Sequence, residues 1–253
     1  MIRTTILAAA GLALAFPAIA QTDQSPFDAE AKRAIETIVH QYLVEHPEVL
    51  LEALDSLEAK RTSEQMASQK AAIEEHGAAL FASPEGTVLG NPDGDVTLVE
   101  FFDYNCGYCK QALADMDSLI AADPNVRFVL KEVPVLGPQS LAAARVSLAV
   151  RAMAPDRYAE FHRALLQTRG VADEASAFAV AEDLGLAIDD VRAAMSSPAV
   201  AEALAESNEI AEGLAINGTP TYVFADAVLA GAVGAEALAA AVANVRSCGS
   251  TTC

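Results

Sequence analysis

The sequence has no tryptophan, only four cysteines in 253 residues, and 16 Lys and Arg against 35 Asp and Glu. The shortage of basic residues leaves a formal net charge of −19. That argues against nucleic-acid binding, which needs a basic footprint on the phosphate backbone, and against docking on an anionic membrane surface. Four cysteines are too few to be a disulfide framework in a chain this long. No stretch beyond the first twenty residues is apolar enough to span a bilayer. There is no internal repeat and no low-complexity tract. The four histidines, His40, His46, His76 and His162, are scattered and read as helix-surface or packing residues. What remains is a chain 53% hydrophobic and 6% aromatic, the composition of an alanine-rich, helix-rich globular protein.

The first twenty residues point to a compartment. Arg3 gives a minimal positive start, Ile6 to Phe16 is an apolar run, and Ala18-Ile19-Ala20 is a small-residue cleavage signature. Together they read as a signal peptide occupying residues 1–20, with the mature chain starting at Gln21. The expected location is the periplasm, where disulfides form and persist.

From Asp28 to about His76 the pattern is helical, with Ile35, Ile38, Val39, Tyr42 and Leu43 at spacings of three and four. Pro47 interrupts it, and Leu50, Leu54 and Leu57 resume it. Residues 58–76 favour helix but carry few apolar positions, as expected of a solvated spacer or part of an oligomer interface. Turn-rich breaks follow at Ser83-Pro84-Glu85-Gly86 and Gly90-Asn91-Pro92-Asp93-Gly94. Val96 to Asp103 reads as a central strand, residues 110–121 as a helix and Val126 to Val133 as a second strand. A long helical stretch from Gln139 to Gly213 is divided near Pro155, Gly170, Gly185 and Pro198. Strand character returns at Thr221–Phe224 and Val228–Ala230, and a last helix covers Ala235 to Arg246. The order predicts an α/β, mixed-sheet domain over 84–246 with a helical insertion at about 138–213. An N-terminal helical arm (21–83) precedes it, and a tail (247–253) follows.

Cys106 and Cys109 sit where a strand gives way to a helix. Three residues apart, they share one helix face and can form a disulfide. Cys106, at the helix start, feels the positive end of the helix dipole, which stabilises a thiolate; Cys109, one turn in, is more covered. A lone CxxC is also half of a zinc site. The looser spacing of Cys248 and Cys253 and the strand-to-helix context argue against zinc, so no metal is expected. Glu100 is an acid in an otherwise apolar strand. It is either buried, where it needs a role or a partner, or faces solvent at a strand edge; Lys131 on the next strand is its plausible ion partner. Cys248 and Cys253 could close a small C-terminal loop, stay free, or serve a regulatory or metal-binding role.

Phe101-Phe102-Asp103-Tyr104-Asn105-Cys106-Gly107-Tyr108-Cys109-Lys110 resembles the active-site segment of the DsbA-like periplasmic oxidoreductases of the thioredoxin superfamily. Asn217 to Phe224 (NGTPTYVF) resembles that family's cis-proline strand. Tyr42 to Leu50 (YLVEHPEVL), with Leu89-Gly90-Asn91-Pro92, is similar to the ScsC-like branch, in which a helical oligomerisation segment precedes the catalytic domain. The resemblance covers residues 30–246. It implies a thioredoxin-like fold, with Cys106 as nucleophile and Cys109 as its buried partner. It further implies a cis bond before Pro220, a substrate chain pairing with the backbone of Thr219, and Glu100 relaying protons to the inner cysteine. The redox-active disulfide itself would be the only cofactor. The dipeptide Gly107-Tyr108 departs from the Pro-His of strongly oxidising members. With Thr219 before the proline it resembles the isomerases of the DsbC type, which implies an intermediate potential.

The expected activity is to form, reshuffle or reduce disulfides in exported, cysteine-containing proteins, with a membrane partner resetting Cys106. A copper-tolerance role, with Cu(I) held by the reduced CxxC, is the alternative, although no Met- or His-rich tract accompanies the cysteines. Residues 28–76 are expected to make the protein a homo-oligomer, because a helix pair of that size buries too little area alone and precedes a domain already complete from Val88. The other possibility is that the arm folds back on its own catalytic domain.

Overall fold

The structure, a computed structural model, describes residues 27–84 and 86–253. The signal-peptide reading of residues 1–20 therefore lies outside the described residues. The chain divides into two compact units, one ending at Glu58 and one running from Ala59 to Cys253.

In the first unit, helix α1 (Ala29–Glu45) starts where the Asp28 carboxylate caps the backbone N–H groups of Glu30 and Ala31, which satisfies two of the unpaired donors of a helix start. It stops one residue short of Pro47, as the restriction on the residue before a proline requires. Helix α2 (Glu48–Leu80) begins directly beyond that proline. No residue of α1 is buried in the single chain. Ile38, Tyr42, Leu50 and Leu54 are each at least half exposed.

The second unit is built on a five-stranded sheet in the order β1-β3-β2-β4-β5. The strands are β1 (Leu89–Gly90), β2 (Val96–Phe102), β3 (Val126–Glu132), β4 (Thr221–Phe224) and β5 (Ala227–Ala230). β2 and β3 run parallel through helix α3 (Gly107–Ala122), and the other pairings are antiparallel. Both central strands are buried almost throughout. That is why β2, broken only by Thr97 and Glu100, reads as a nearly continuous apolar run rather than an alternating one. The helical insertion comprises α4 (Pro138–Met153), α5 (Pro155–Gln167), α6 (Glu174–Asp183), α7 (Ile188–Ala194) and α8 (Pro198–Gly213), and α9 (Ala235–Cys248) closes the unit. Three insertion helices start on prolines, at the first-turn positions where a missing N–H costs nothing.

Alternation along β2 divides the core in two. Leu98 and Phe102 join the larger cluster, with α3, α4, α5 and α9. Val99 and Phe101 join Val129, Val223 and Ile210 on the opposite face. That second face is covered partly by α2, whose Ala72, Ile73 and Leu80 are buried in it. His76 of α2 lies against Gly213, where an added Cβ would sit 2.6 Å from its ring. This corrects the expectation that the domain is complete from Val88 onward. The few apolar residues of the polar helix fall on one stripe, and that stripe is what roofs the sheet.

Candidate active site

β2 ends at Phe102, and three polar or aromatic residues carry the chain to Cys106, which stands at the N-cap of α3. Its carbonyl accepts the first helical hydrogen bond, from Lys110 N at 3.1 Å, and its own N–H donates to Asp103 O at 3.0 Å. Cys106 keeps 7% of its surface exposed, while Cys109, inside the first turn, keeps none. Both are free thiols. Burial pushes the Cys109 thiol far above the usual thiol range, and the negative charges of Glu100 and Cys106 push the same way. The Asp103 backbone and the Thr219 hydroxyl pull against them. Tyr108 is 65% exposed and nothing stands within 4 Å of where a Gly107 Cβ would be, so the dipeptide between the cysteines faces open space.

The sheet brings a distant loop to the same point. The Thr219–Pro220 peptide bond is cis. The loop is held by Thr221 Oγ1 donating to Gly218 O at 2.8 Å and by Gly231 N donating to Pro220 O at 2.8 Å. The Cys106 thiol donates to the Thr219 carbonyl oxygen at 3.1 Å. A sulfur at a helix start and a backbone edge separated by 113 residues thus meet.

Beneath the cysteines lies Glu100, 2% exposed, in register with Tyr222 on β4. Burial raises its carboxyl pKa to about 8, so the group is mostly protonated at neutral pH. The Tyr222 hydroxyl is buried without a hydrogen-bond partner. Burial first, then the charges of Glu100 and Cys109, holds it well above the ordinary phenol range. A neutral acid beneath a buried thiol is placed to supply it with a proton.

The expected ion pair between Glu100 and Lys131 does not form. Lys131 aligns with Phe101 across β2 and β3, whereas Glu100 aligns with Leu130. Adjacent strand residues point to opposite faces, so Lys131 emerges on the far side of the sheet. There it donates to Ala79 O at 2.9 Å and pairs with Glu206 at 2.6 Å. The solvent-edge alternative for Glu100 fails too, since β2 is central and Glu100 is buried.

A clamp that the sequence reading passed over holds the cysteine segment in place. Asp103, 2% exposed, accepts from Asn105 N at 2.8 Å, Ser140 Oγ at 2.7 Å and Leu136 N at 3.0 Å. Asn105 exchanges hydrogen bonds with both backbone groups of Ala172, at 2.8 and 2.7 Å. Lys110 reaches the carbonyls of Thr168 and Gly170. Three polar residues flanking the CxxC thereby fix it to the start of α4, the segment just before it, and the loop between α5 and α6. The signal was present as two polar side chains immediately before Cys106, where β2 has just ended.

Residues 97–243 match the family model of the DSBA-like thioredoxin domain, and residues 32–63 match that of the copper resistance protein ScsC N-terminal domain. The chain belongs to the DsbA-like thioredoxin-domain family. Among solved structures it is 44% identical to a thioredoxin-like oxidoreductase from Silicibacter pomeroyi DSS-3, with a TM-score of 0.63 over 66% of this chain and 96% of that one. It is 28% identical to Proteus mirabilis ScsC in a transitional conformation, with a TM-score of 0.61 over 84% of this chain and 94% of that one. Among curated proteins it is 30% identical over 157 residues to Na(+)/H(+) antiporter NhaA 1 of Salinispora arenicola (strain CNS-205), covering 62% of this chain. The chain spans about a quarter of the length of the curated relatives it matches. Among the described residues, no helix is long and apolar enough to cross a membrane.

For a DsbA-like chain the remaining sequence candidates fall as follows. Cys248 and Cys253 form a disulfide with a Cα–Cα distance of 6.2 Å. The loop it closes is tied to Asp226 through Ser250 and Thr251. His162 is a packing residue, 1% exposed, set edge-on to Phe102 at 4.7 Å. Burial lowers its pKa to about 3, which keeps it neutral. Among the described residues, no group of three or more His, Cys, Asp or Glu is arranged to hold a metal ion.

Proposed function

We propose that Cys106 is the sulfur that exchanges with exported proteins, Cys109 its resolving partner, Glu100 the proton relay, and Thr219–Pro220 the edge against which the substrate backbone lies. The contact between the Cys106 sulfur and the Thr219 carbonyl carries this reading, because a chain bonded to Cys106 must pass along that edge. In the oxidising direction a substrate thiolate attacks Cys106 Sγ of the Cys106–Cys109 disulfide. The new bond joins substrate to Cys106, and the electron pair of the broken bond leaves on Cys109 Sγ. Glu100 protonates that sulfur and regains its proton from solvent. A second substrate thiolate then attacks the substrate sulfur of the mixed disulfide, releasing Cys106 as thiolate and leaving the substrate oxidised by two electrons. Isomerisation uses the reduced form. The Cys106 thiolate opens a wrong disulfide, and another substrate thiolate releases Cys106, with no net electron transfer.

The Gly107-Tyr108 dipeptide, and the apolar residues that the first unit leaves exposed, favour isomerisation by a homo-oligomer assembled through residues 28–76. The signal-type segment at 1–20 and the exposed Cys248–Cys253 disulfide favour the periplasm, with a membrane redox partner resetting the site. The match of residues 32–63 to a copper resistance domain supports a second reading, Cu(I) held between the two reduced sulfurs. Cys106→Ser tests the assignment of Cys106 as the exchanging sulfur. It should abolish exchange with scrambled ribonuclease, and in the wild type a small alkylating agent should modify Cys106 about 100-fold faster than the buried Cys109. Equal labelling of the two sulfurs would overturn the role assignment.

A further inference from the structure

A groove opens beside the Thr219–Pro220 loop, and its far wall is α2. Thr62, Gln65, Met66 and Gln69 line it, at spacings of three, four and seven, which is one helix face. Gln69 Nε2 donates to Leu214 O at 3.4 Å and ties the wall to the loop. Val228 of β5 faces the wall, and the space measures about 420 Å³, well within the ~300–1,000 Å³ of ordinary ligand clefts. A second hollow of about 330 Å³ shares Met66, Gln69 and Val228 and continues along β5 to Thr251 and Thr252. Among the described residues, none lining the first hollow is charged, although the chain carries a net −19. Met66 is 64% exposed in it.

We propose that this groove seats the stretch of substrate polypeptide flanking the reacting cysteine, and that Met66 sets a preference for an uncharged, apolar side chain there. The inference rests on reading Cys106 as the exchanging sulfur. A substrate joined to Cys106 has its backbone at Thr219, 3.1 Å from that sulfur. An extended chain advances ~3.3 Å per residue, so its next residues leave the loop, and the groove starts at Gly218 and Thr219. An apolar side chain would cover Met66, Ile216 and Val228. Lys70 and Asp226 line only the second hollow, so a charged side chain in the first would lose water without gaining a partner there. Methionine, unbranched and polarizable, suits a surface that must accept many different neighbours.

The test uses the full chain and two cysteine peptides differing only by Leu or Asp next to the cysteine, each presented as a disulfide with a small thiol. Hydroxyethyl disulfide, which has no peptide, is the reference. The wild type should react with the Leu peptide about tenfold faster than with the Asp peptide. Met66→Glu should lower the rate ratio of Leu peptide to reference about tenfold, Gln65→Glu should shift it the same way, and Met66→Lys should reverse the preference toward Asp. Peptide ratios that are the same in the wild type and all three variants would overturn the groove while leaving the chemistry of Cys106 intact. A wild type inert even to hydroxyethyl disulfide would bring down the oxidoreductase reading itself, and the groove with it.

Discussion

Glu100 and Glu132 are the same residue type on adjacent strands, both buried, with opposite surroundings. Glu132 accepts from Ser147 and Tyr158 at 3.0 and 2.9 Å and lies 3.7 Å from Arg151. Glu100 is raised by burial alone, and Lys131 of the neighbouring strand points to the other face. A folded pKa of about 8 lies above the ordinary carboxyl value of 4.5, so the folded state binds this proton more tightly than the unfolded state does. The stability from that proton is complete below pH 4.5 and is lost as pH rises through 8. Glu100→Gln should therefore be more stable than the wild type by a margin that widens from pH 5 to pH 8, reaching a few kcal/mol. Urea denaturation at several pH values measures it. The same substitution should slow exchange at Cys109 by about 100-fold, the scale of a lost proton-transfer group; an unchanged rate from pH 6 to 8 would remove Glu100 from the chemistry. Tyr108, exposed between the cysteines, is expected to tune the potential instead. Tyr108→His should place a donor beside the Cys106 thiolate, stabilise the reduced form and raise the reduction potential by about 30 mV, a tenfold change in the exchange equilibrium with glutathione.

At the scale of elements, α2 does two things with one sequence. Its leading turns leave Leu50, Leu51 and Leu54 at least half exposed, whereas its last turns bury Ile73 and Leu80 to 4% or less. Ile73→Ala removes side-chain volume from the face shared by Val99, Phe101 and Val129 and should cost about 2–5 kcal/mol. A chain beginning near Pro84 would lack all of that cover and should aggregate or melt far below one beginning at Ala59. Differential scanning calorimetry of the two distinguishes them. Equal melting temperatures would show that α2 is dispensable for the sheet.

At the scale of the molecule, the exposed apolar residues of the first unit are the feature a single chain leaves unexplained. Their exposure is what the proposed homo-oligomer through residues 28–76 would cover. Sedimentation of the full chain should give an oligomer, and Leu54→Asp should shift it to monomer without changing the rate at which Cys106 exchanges with a small disulfide. Scrambled-ribonuclease turnover should fall severalfold in the same variant. A wild-type monomer would overturn the proposed homo-oligomer.

The sequence by itself determined the elements and the family. Strand and helix boundaries near Val96, Val126, Pro155, Pro198 and Thr221 follow from local signals of β-branching, proline and glycine, and the segments around Cys106 and Pro220 carry the resemblance to the DsbA-like family that the family model matches. Only the tertiary structure decided which side chains meet. The register of β2 on β3 sends Lys131 away from Glu100 and toward Glu206, a matter of one residue of alternation that no local pattern encodes. The packing of α2 turned three apolar positions in a polar helix into the lid of a sheet. The Asp103 clamp, the Tyr222 hydroxyl opposite Glu100 and the groove behind Met66 join residues more than thirty positions apart. Their partners are chosen by how the chain closes on itself, and loop closure leaves no signature in composition or period.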